Sequence, residues 1–156
     1  MKDNTLQLLS HFRRNARETL TKISRKTSIP VSTIFDRLKD FEKSIIKKHT
    51  SLIDFNKLGY VTRANITLKF DKTDRLKAAE YLQTHMNVNS LYKITNGFDY
   101  MAEVVFKNLF ELEQFREDLE ERFNLHKIDM HFIIDDIKRE EFMADESMIS
   151  MIEPKD

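Results

Sequence analysis

The side chains best suited to chemistry in this sequence are basic and hydroxyl groups on a helix predicted to begin at Pro30. Serine and threonine hydroxyls can contact base edges or phosphates, and an arginine can bind guanine through two hydrogen bonds. An aspartate can accept a hydrogen bond from the cytosine amino group, although such a residue more often pairs with a neighbouring lysine or arginine. With Ile34, Leu38 and Phe41 predicted to face the protein, the candidate readers of base edges are Ser32, Thr33, Asp36, Arg37, Lys39 and Lys43.

Basic residues on both sides of this helix are candidates for contacts with a phosphate backbone. Such contacts position a protein on nucleic acid without reading its sequence. The candidates are Lys22, Arg25, Lys26, Lys47 and Lys48. Because solvated helix surfaces commonly carry lysine and arginine, these residues alone do not distinguish nucleic-acid binding from an ordinary surface.

The net charge of the chain is zero, but the charge is divided unevenly along it. Residues 1–50 contain 12 Lys and Arg against 5 Asp and Glu, a balance of +7, and residues 51–156 have a balance of −7. Since the positive region coincides with the predicted helix, the sequence favours binding of double-stranded DNA over a merely solvated surface. The division also indicates two units with different partners.

The sequence offers little for catalysis or metal binding. Its five histidines are scattered, without a pair at metal-ligand spacing on a predicted helix: His11, His49, His85, His126 and His131. The absence of cysteine excludes thiolate sites and disulfides, and the two isolated glycines exclude glycine-rich phosphate loops. We therefore expect no metal, no cofactor and no enzymatic activity.

No segment of the sequence has the composition of a membrane span or a secretion signal. The longest stretch without a charged residue, from Tyr81 to Tyr92, contains several polar side chains and is shorter than the roughly 20 apolar residues a span needs. The first residues, Met-Lys-Asp-Asn, lack an apolar signal core. We expect a soluble cytoplasmic protein without a membrane partner.

The first fifty residues predict three short helices and a basic wing. Thr19 can cap the second helix, and Pro30 suits the first turn of the third. A β-rich stretch suited to a wing or linking strand follows, formed by Ile45-Ile46, Lys47-Lys48 and Leu52-Ile53. This layout is that of a winged helix-turn-helix, whose third helix lies in the DNA major groove. We assign residues 1–50 to this domain and residues 51–59 to a linker strand.

From residue 60 the pattern changes to strands separated by two further helices. Ala64, Ile66, Leu68 and Phe70 alternate with polar residues, which predicts a strand with one buried face. Helices are predicted over 73–86, with Leu76, Ala79, Leu82 and Met86 inward, and over 109–123; strands are predicted over 88–95, 100–106 and 128–134. The order β-α-β-β-α-β predicts a ferredoxin-like domain over residues 60–139. The predicted fold class is therefore α+β, a winged helix-turn-helix followed by a ferredoxin-like domain.

The face of that sheet away from its helices predicts a second copy of the chain. The side chains predicted to face the helices are Ala102, Val104, Phe106, Met130, Phe132 and Ile134. The opposite face would then hold Met101, Val105, Asp129, His131, Ile133 and Leu91. Such a face is too apolar for solvent, so we expect a homodimer formed through the sheet.

The last segment, residues 140–156, is an acidic tail containing Met143, Met148 and Met151. Its pattern is compatible with a short terminal helix and with a loose tail, and the sequence does not decide between them.

Two stretches of the sequence carry a family resemblance. The run Ile29-Pro-Val-Ser-Thr-Ile-Phe-Asp-Arg-Leu-Lys-Asp-Phe-Glu42, followed by Ile45-Ile46, Leu52-Ile53-Asp54 and Leu58-Gly59, resembles the recognition helix, wing and linker of the Lrp/AsnC (feast/famine) transcription regulators. The later run Ile94-Thr-Asn-Gly-Phe-Asp-Tyr100 is similar to the turn of that family's effector-binding domain. The resemblance spans about residues 4–137.

The resemblance implies a transcription regulator that forms dimers or octamers and binds an amino acid or a similar small molecule. By this resemblance the effector would lie at the turn formed by Gly97, Phe98 and Asp99, at an interface between dimers. Gly97 would allow the turn and a close backbone approach, and the Asp99 carboxylate or adjacent backbone would meet the ligand's ammonium. The alternative is that these residues only form a hairpin turn.

The sequence departs from the family pattern at two serines. Ser28 and Ser44 stand where many members have glycine, before the recognition helix and before the wing. A serine in the left-handed conformation costs about 1 kcal/mol relative to glycine, so the local geometry at either position would differ.

Two other functions remain open at this point. Siroheme decarboxylases are similar in architecture, and in such an enzyme a basic groove would hold an anionic tetrapyrrole. The concentration of positive charge in residues 1–50 disfavours this interpretation. A third possibility is an interaction module of corepressor type whose partner reads the DNA.

Overall fold

The structure is a computed structural model that describes residues 4–152, except the side chains of residues 150 and 152. Residues 1–3 of the predicted first domain and residues 153–156 of the predicted tail lie outside this range. The chain forms two compact units. The helical unit comprises the residues up to 52 together with those from 137 onward, and the sheet unit comprises residues 53–136.

Three helices form the first part of the helical unit: α1 (Asn4–Arg14), α2 (Leu20–Thr27) and α3 (Val31–Ser44). Thr19 caps α2 as predicted, because its side chain accepts a hydrogen bond from the Lys22 backbone N–H at 3.3 Å. The Pro30 that precedes α3 has no N–H to leave unpaired. The helices enclose a core of Leu8, Phe12, Ile23, Ile29, Ile34 and Phe41. This arrangement confirms the predicted helix-turn-helix.

The two serines at the family's glycine positions behave differently. Ser28 ends α2 with a φ of 59°, in the left-handed region where a side chain is strained. Ser44 is the last residue of α3, and its hydroxyl donates to the Asp40 carbonyl at 2.6 Å. Ser28 therefore keeps the left-handed conformation at the expected cost, whereas Ser44 is helical and carries no such cost.

The predicted wing and linker strand are not formed in the single chain. Residues 46–54 have no regular structure in the described part of the chain, and the residues that follow form one turn of 3-10 helix, Asn56–Leu58, closed by Gly59. A strand needs a neighbour for its backbone hydrogen bonds, and this segment pairs with none of the described strands. The prediction of strand structure over residues 45–59 is wrong for one isolated copy.

The sheet unit has the predicted element order. It contains β1 (Thr62–Phe70), α4 (Arg75–Thr84), β2 (Val88–Lys93), β3 (Tyr100–Phe106), α5 (Leu109–Arg122) and β4 (Leu125–Phe132). The strands lie side by side in the order β2-β3-β1-β4, and all neighbouring pairs are antiparallel. This topology confirms the ferredoxin-like fold and hence the α+β class.

Alternation along β1 builds the core as expected. Its buried residues Ala64, Ile66, Leu68 and Phe70 pack against the helices together with Leu82 of α4. The predicted inner face of α4 is partly wrong, because Leu76 is 76% exposed and Met86 is 89% exposed. Leu82 and Ala79 pack on the core as predicted, and Ala78 joins them, while Leu76 lies about 200° from Ala78 around the helix. Met86 follows the end of the helix.

The outer face of the sheet is more polar than predicted. Leu91 was expected there, but it pairs in register with Ala102 and packs on the core. Phe132 and Ile134 were expected to face the helices and be buried. Phe132, at the end of β4, is instead 52% exposed, and Ile134, beyond the strand, is 97% exposed. Arg63 instead occupies the outer face. It donates to Glu103 and to Asp136 at distances of 3.1 and 2.7 Å. An apolar outer face therefore does not explain a dimer.

The described part of the tail packs within the helical unit. It contains one 3-10 turn, Glu146–Met148, and a short helix α6 (Ile149–Ile152). Ala144 and Ile149 are buried, the His11 ring of α1 contacts the Glu146 carboxylate, and Arg13 pairs with Glu140. Up to residue 152 the tail is therefore ordered, with a short terminal helix. Among the described helices none is long and apolar enough to cross a membrane.

Candidate nucleic-acid interface

The exposed face of α3 lies opposite the side of the helix that packs on the core. Ile34 and Phe41 are 0% and 5% exposed, so they fix which side of the helix meets the core. Five of the six predicted base readers are exposed as a result: Ser32, Thr33, Asp36, Lys39 and Lys43. Within the described part of the chain Asp36 forms no ion pair, so its carboxylate does not neutralise a neighbouring cation. The exposed face of α3 therefore presents hydroxyls and two ammonium groups together with the carboxylate of Asp36.

Arg37 is the exception among the predicted readers. Its side chain is half-buried, and one guanidinium nitrogen donates to the Thr5 hydroxyl of α1 at 2.9 Å. The contact holds α3 against α1 and uses part of the fork that would bind a guanine. Base reading by Arg37 would require the remaining donors or the loss of this hydrogen bond.

Sequence reasoning missed Phe35. Its side chain is 46% exposed, and Val31 one turn earlier is 41% exposed. The Lys39 ammonium lies 4.3 Å from the centre of the Phe35 ring, a cation–π distance. The signal was the spacing of four between residues 31, 35 and 39, which places them to one side of the inward stripe.

The candidate phosphate contacts are all exposed: Lys22, Arg25, Lys26, Lys47 and Lys48. Counting only partners among the described residues, Lys26 alone of these five has a carboxylate partner, Glu18, at 2.5 Å. The Lys26 hydrogen bond, and after it that of His11, lowers the pKa of the Glu18 carboxyl even though burial raises it. Lys26 therefore presents less net positive charge to a phosphate than the other four cations.

The predicted effector turn has the expected hairpin geometry. Asn96 and Gly97, with φ values of 63° and 88°, are the two left-handed residues between β2 and β3. A Cβ built on Gly97 would meet no atom within 4 Å, so glycine serves the backbone conformation here. Phe98 lies under the Lys127 ammonium, 4.6 Å from the ring centre.

Asp99 has a structural role that the sequence did not reveal. Its carboxylate is buried, and one oxygen lies 3.3 Å from Lys69 Nζ and 2.9 Å from Arg75 Nε. The other oxygen accepts the Phe70 backbone N–H at 2.9 Å. Two cations and an N–H therefore already occupy the carboxylate, and the expected contact with a ligand ammonium is disfavoured by charge. Lys69 and Arg75 are the residues that sequence reasoning missed at this turn.

A family comparison matches the sheet unit closely. The model of the Lrp/AsnC ligand binding domain matches residues 63–142, just over half of the chain. The chain belongs to the Lrp/AsnC family. Among its relatives is the HTH-type transcriptional regulator FL11 of Pyrococcus horikoshii, 28% identical over 110 residues that cover 70% of this chain and 73% of the relative. Bacillus subtilis LrpC is 23% identical over 111 residues, or 70% and 77% of the two chains.

Solved structures of Lrp/AsnC proteins share the whole fold. A transcriptional regulator from Neisseria meningitidis, NMB0573, solved as a complex with L-Met, has a TM-score of 0.81 at 20% identity and covers 89% of this chain and 93% of its own. Bacillus subtilis LrpC has a TM-score of 0.79 at 21% identity, covering 88% and 97%. At these identities the likeness establishes the fold, and it agrees with the predicted helix-turn-helix followed by a ferredoxin-like domain.

Proposed function

We propose that this chain is a sequence-specific regulator of transcription that binds double-stranded DNA in the cytoplasm. The observation that carries the proposal is the solvent-exposed face of α3, where cations and hydroxyls lie on a helix of a helix-turn-helix. Membership of the Lrp/AsnC family, with relatives named HTH-type transcriptional regulators, supports the same function. The domain assignment of residues 1–50, 51–59, 60–139 and 140–156 remains part of the proposal.

Fluorescence anisotropy with a labelled duplex tests this function. The affinity should fall steeply as salt rises, since each phosphate contact contributes about −0.9 to the slope of log affinity against log salt. The variant Lys47→Ala should weaken all duplexes alike, whereas Arg37→Ala should relax sequence preference. A protein that binds no duplex at low salt contradicts the proposal and favours the interaction module whose partner reads the DNA.

The regulator acts as a homodimer in this proposal, with larger assemblies built from dimers. Support comes from the segment around the missing strand, which exposes five large apolar side chains to between 47% and 64%: Ile45, Leu52, Ile53, Leu58 and Val61. Its backbone lacks strand partners in one copy, and a second copy would supply them and cover the apolar surface. Two recognition helices would then meet half-sites about one DNA turn apart.

Sedimentation of the full chain at micromolar concentration tests the dimer. The expected species is a dimer or a multiple of it, and Ile53→Asp should shift it toward monomer because a charge replaces an apolar contact. Phe142→Asp, at a side chain 71% exposed in the tail, is the matched control and should leave the mass unchanged. A monomeric wild type contradicts this part of the proposal.

The proposed effector is an amino acid or a molecule of similar charge, bound beside the hairpin turn. Lys69 and Arg75 have side chains 35% and 32% exposed, and they can offer remaining donors to a ligand carboxylate. The backbone of Gly97 and the ring of Phe98 would border the ligand, while Asp99 holds both cations in place. The L-Met complex of the Neisseria meningitidis protein supports this ligand class.

Titration calorimetry with L-methionine and other amino acids tests the effector. Phe98→Ala should weaken binding without removing the Asp99 contacts, and Asn89→Ala, at an exposed position of β2, should not. Binding of no amino acid at millimolar concentration contradicts the effector proposal and leaves DNA binding untouched.

An enzymatic function is not part of the proposal. His11 is fully buried between Glu18 and Glu146, so its ring is not presented to a substrate, and partial burial lowers the pKa of His85. The relatives are named as regulators. A purified protein with a porphyrin absorbance band, or one that binds siroheme and not duplex DNA, would instead support a siroheme decarboxylase.

A further inference from the structure

We propose that Phe35 reads a base, by packing its ring against the C5 methyl group of a thymine in the major groove. This inference rests on the proposed function, because it requires α3 to lie in the groove. The Phe35 side chain cannot form a salt bridge with a phosphate or donate a hydrogen bond. Its contribution to DNA binding would therefore be a preference for thymine at one position.

The exposure of Phe35 is the first observation. The neighbouring Ile34 is completely buried and Phe41 is 5% exposed, but Phe35 leaves 46% of its surface in water. Val31, one turn before, is 41% exposed and extends the apolar strip. The strip lies beside Ser32, Asp36 and Lys39, so an apolar patch is set within an otherwise polar surface. An aromatic ring placed in this way gains by burial against another apolar group.

The position of Phe35 on the helix is the second observation. It is the fifth residue of the 14-residue α3, within the N-terminal half that contacts base edges in helix-turn-helix proteins. Successive helix residues are about 100° apart, so Phe35 points about 200° away from Arg37. Since Arg37 is bonded to Thr5 of α1, Phe35 lies on the flank turned away from α1.

Lys39 supplies the third observation. Its ammonium lies 4.3 Å from the centre of the Phe35 ring, and the electron-rich face of a ring attracts a cation. The ring thereby places a positive charge beside the apolar contact, where it can meet a phosphate or a guanine next to the thymine. A duplex satisfies both members of the pair, because it presents a methyl group and negative charge a few ångströms apart.

The charge around the strip favours DNA over a protein partner. Residues 1–50 carry a balance of +7, and Lys43, whose ammonium pairs with no carboxylate of residues 4–149, is exposed on the same helix. An apolar protein surface docked here would leave these charges without partners at its edge. In the major groove, apolar side chains contact the thymine methyl, which has no counterpart on the other three bases.

Replacement of thymine by deoxyuridine tests the proposal, since it removes the methyl group and keeps every hydrogen-bonding atom. The probe is the tightest duplex that the full-length wild-type protein selects from a random pool, with each thymine exchanged in turn. At one thymine per half-site the wild-type affinity should fall about fourfold, the value expected for one buried methyl group. Phe35→Ala should bind more weakly and should bind the two duplexes equally.

Two further variants separate the ring from other effects. Phe35→Leu keeps an apolar side chain and should retain the difference between thymine and deoxyuridine, although it loses the contact with Lys39. Phe110→Ala removes another exposed phenyl ring, on α5, and should keep the full wild-type difference. Each result is the ratio of one protein's affinities for the thymine duplex and the deoxyuridine duplex. A change in the folded fraction or in the assembly of a variant affects both affinities equally and does not alter this ratio.

The outcomes distinguish this inference from the proposed function. If the wild type selects a sequence and Phe35→Ala keeps the same fourfold preference at the same thymine, Phe35 is not the reader, although the regulator is. If no exchange of thymine for deoxyuridine changes the affinity of the wild type, the inference is also overturned. A wild type that selects no sequence overturns both. A Phe35→Ala variant altered only in sedimentation identifies the strip as a contact between copies and overturns the base-reading role.

Discussion

The two units use their charged side chains in opposite ways. In the sheet unit Arg63 pairs with Glu103 and Asp136, and the Asp136 hydrogen bond is the main reason that the pKa of Arg63 is raised. Arg116 of α5 likewise pairs with two glutamates of its own helix. On α3 of the helical unit Lys39 and Lys43 are exposed, and neither has a carboxylate partner in the described part of the chain.

The difference shows what each set of charges is for. A cation that is paired and half-buried holds elements together, and its removal leaves the partner uncompensated. An exposed and unpaired cation contributes little to folding and stays available for a polyanion. Substitutions of matched type in the two units should therefore have effects of different kinds, on stability in one and on DNA affinity in the other.

The substitution Asp99→Ala should have the largest effect on stability. It removes the carboxylate that pairs with Lys69 and Arg75 and accepts from the buried Phe70 N–H, and we expect a loss of about 3 kcal/mol in the free energy of unfolding of the sheet unit. All four tyrosines lie within residues 60–100, so tyrosine fluorescence during urea unfolding reports on this unit.

The matched control for Asp99 is Asp36→Ala on the exposed face of α3. It should change stability by no more than about 0.5 kcal/mol, as is usual for surface substitutions. Equal losses for the two variants would mean that the buried cluster around Asp99 is not what holds the turn, and the contrast between the units would fail.

Charge reversal on α3 should have the converse effect. The double variant Lys39→Glu and Lys43→Glu should lower affinity for duplex DNA about a hundredfold at moderate salt and reduce the salt slope by about two. Its unfolding free energy should stay close to that of the wild type, because both side chains are exposed.

Lys72→Glu in the sheet unit provides the control for that reversal. Lys72 is exposed, so the variant changes the charge without breaking a packed contact. An anisotropy titration should give wild-type affinity within about twofold. If this single reversal weakened DNA binding as much as the double variant, the cationic surface would not be confined to the helical unit.

The same contrast explains how much the sequence could predict. Periodicity indicates which residues of a regular element face inward, and the buried face of β1 was predicted correctly from it, whereas the inner face of α4 was predicted only in part. It says nothing of partners distant in the chain, so the contacts of Asp99 with Lys69 and Arg75, and of Arg37 with Thr5, were not predicted. The strand expected around residue 50 is not formed, because the segment pairs with none of the described strands.

Within the helical unit, the left-handed Ser28 gives a smaller prediction. Glycine adopts a φ of 59° without steric cost, so Ser28→Gly should stabilise this unit by about 0.5–1 kcal/mol. Ser44→Gly is the matched control, and it should lower stability by a similar or smaller amount because Ser44 is helical. Hydrogen exchange of the α2 and α3 amides measures both. A gain from both variants would contradict the different conformations of the two serines.

The smallest effect concerns a cluster in the helical unit that uses charges as the sheet unit does. Glu18 is bonded to Lys26 and His11, and the Lys26 hydrogen bond is the main cause that lowers the pKa of its carboxyl. A carboxyl whose pKa is lower in the folded state stabilises the fold at neutral pH. That contribution declines as the pH falls below the unfolded value of 4.5 and through the folded one.

The substitution Glu18→Gln should therefore cost about 0.5–1 kcal/mol at pH 7 and less than that at pH 3, where the wild type has lost the same interaction. Hydrogen exchange of the α1 and α2 amides at the two pH values measures the difference. Glu42→Gln is the matched control. Glu42 is 45% exposed and pairs with His49, which is equally exposed, so this substitution should change stability less than Glu18→Gln does. A cost for Glu18→Gln that is independent of pH would mean that the side chain acts through packing, and its pairing with Lys26 would then not stabilise the helical unit as the buried pairs stabilise the sheet unit.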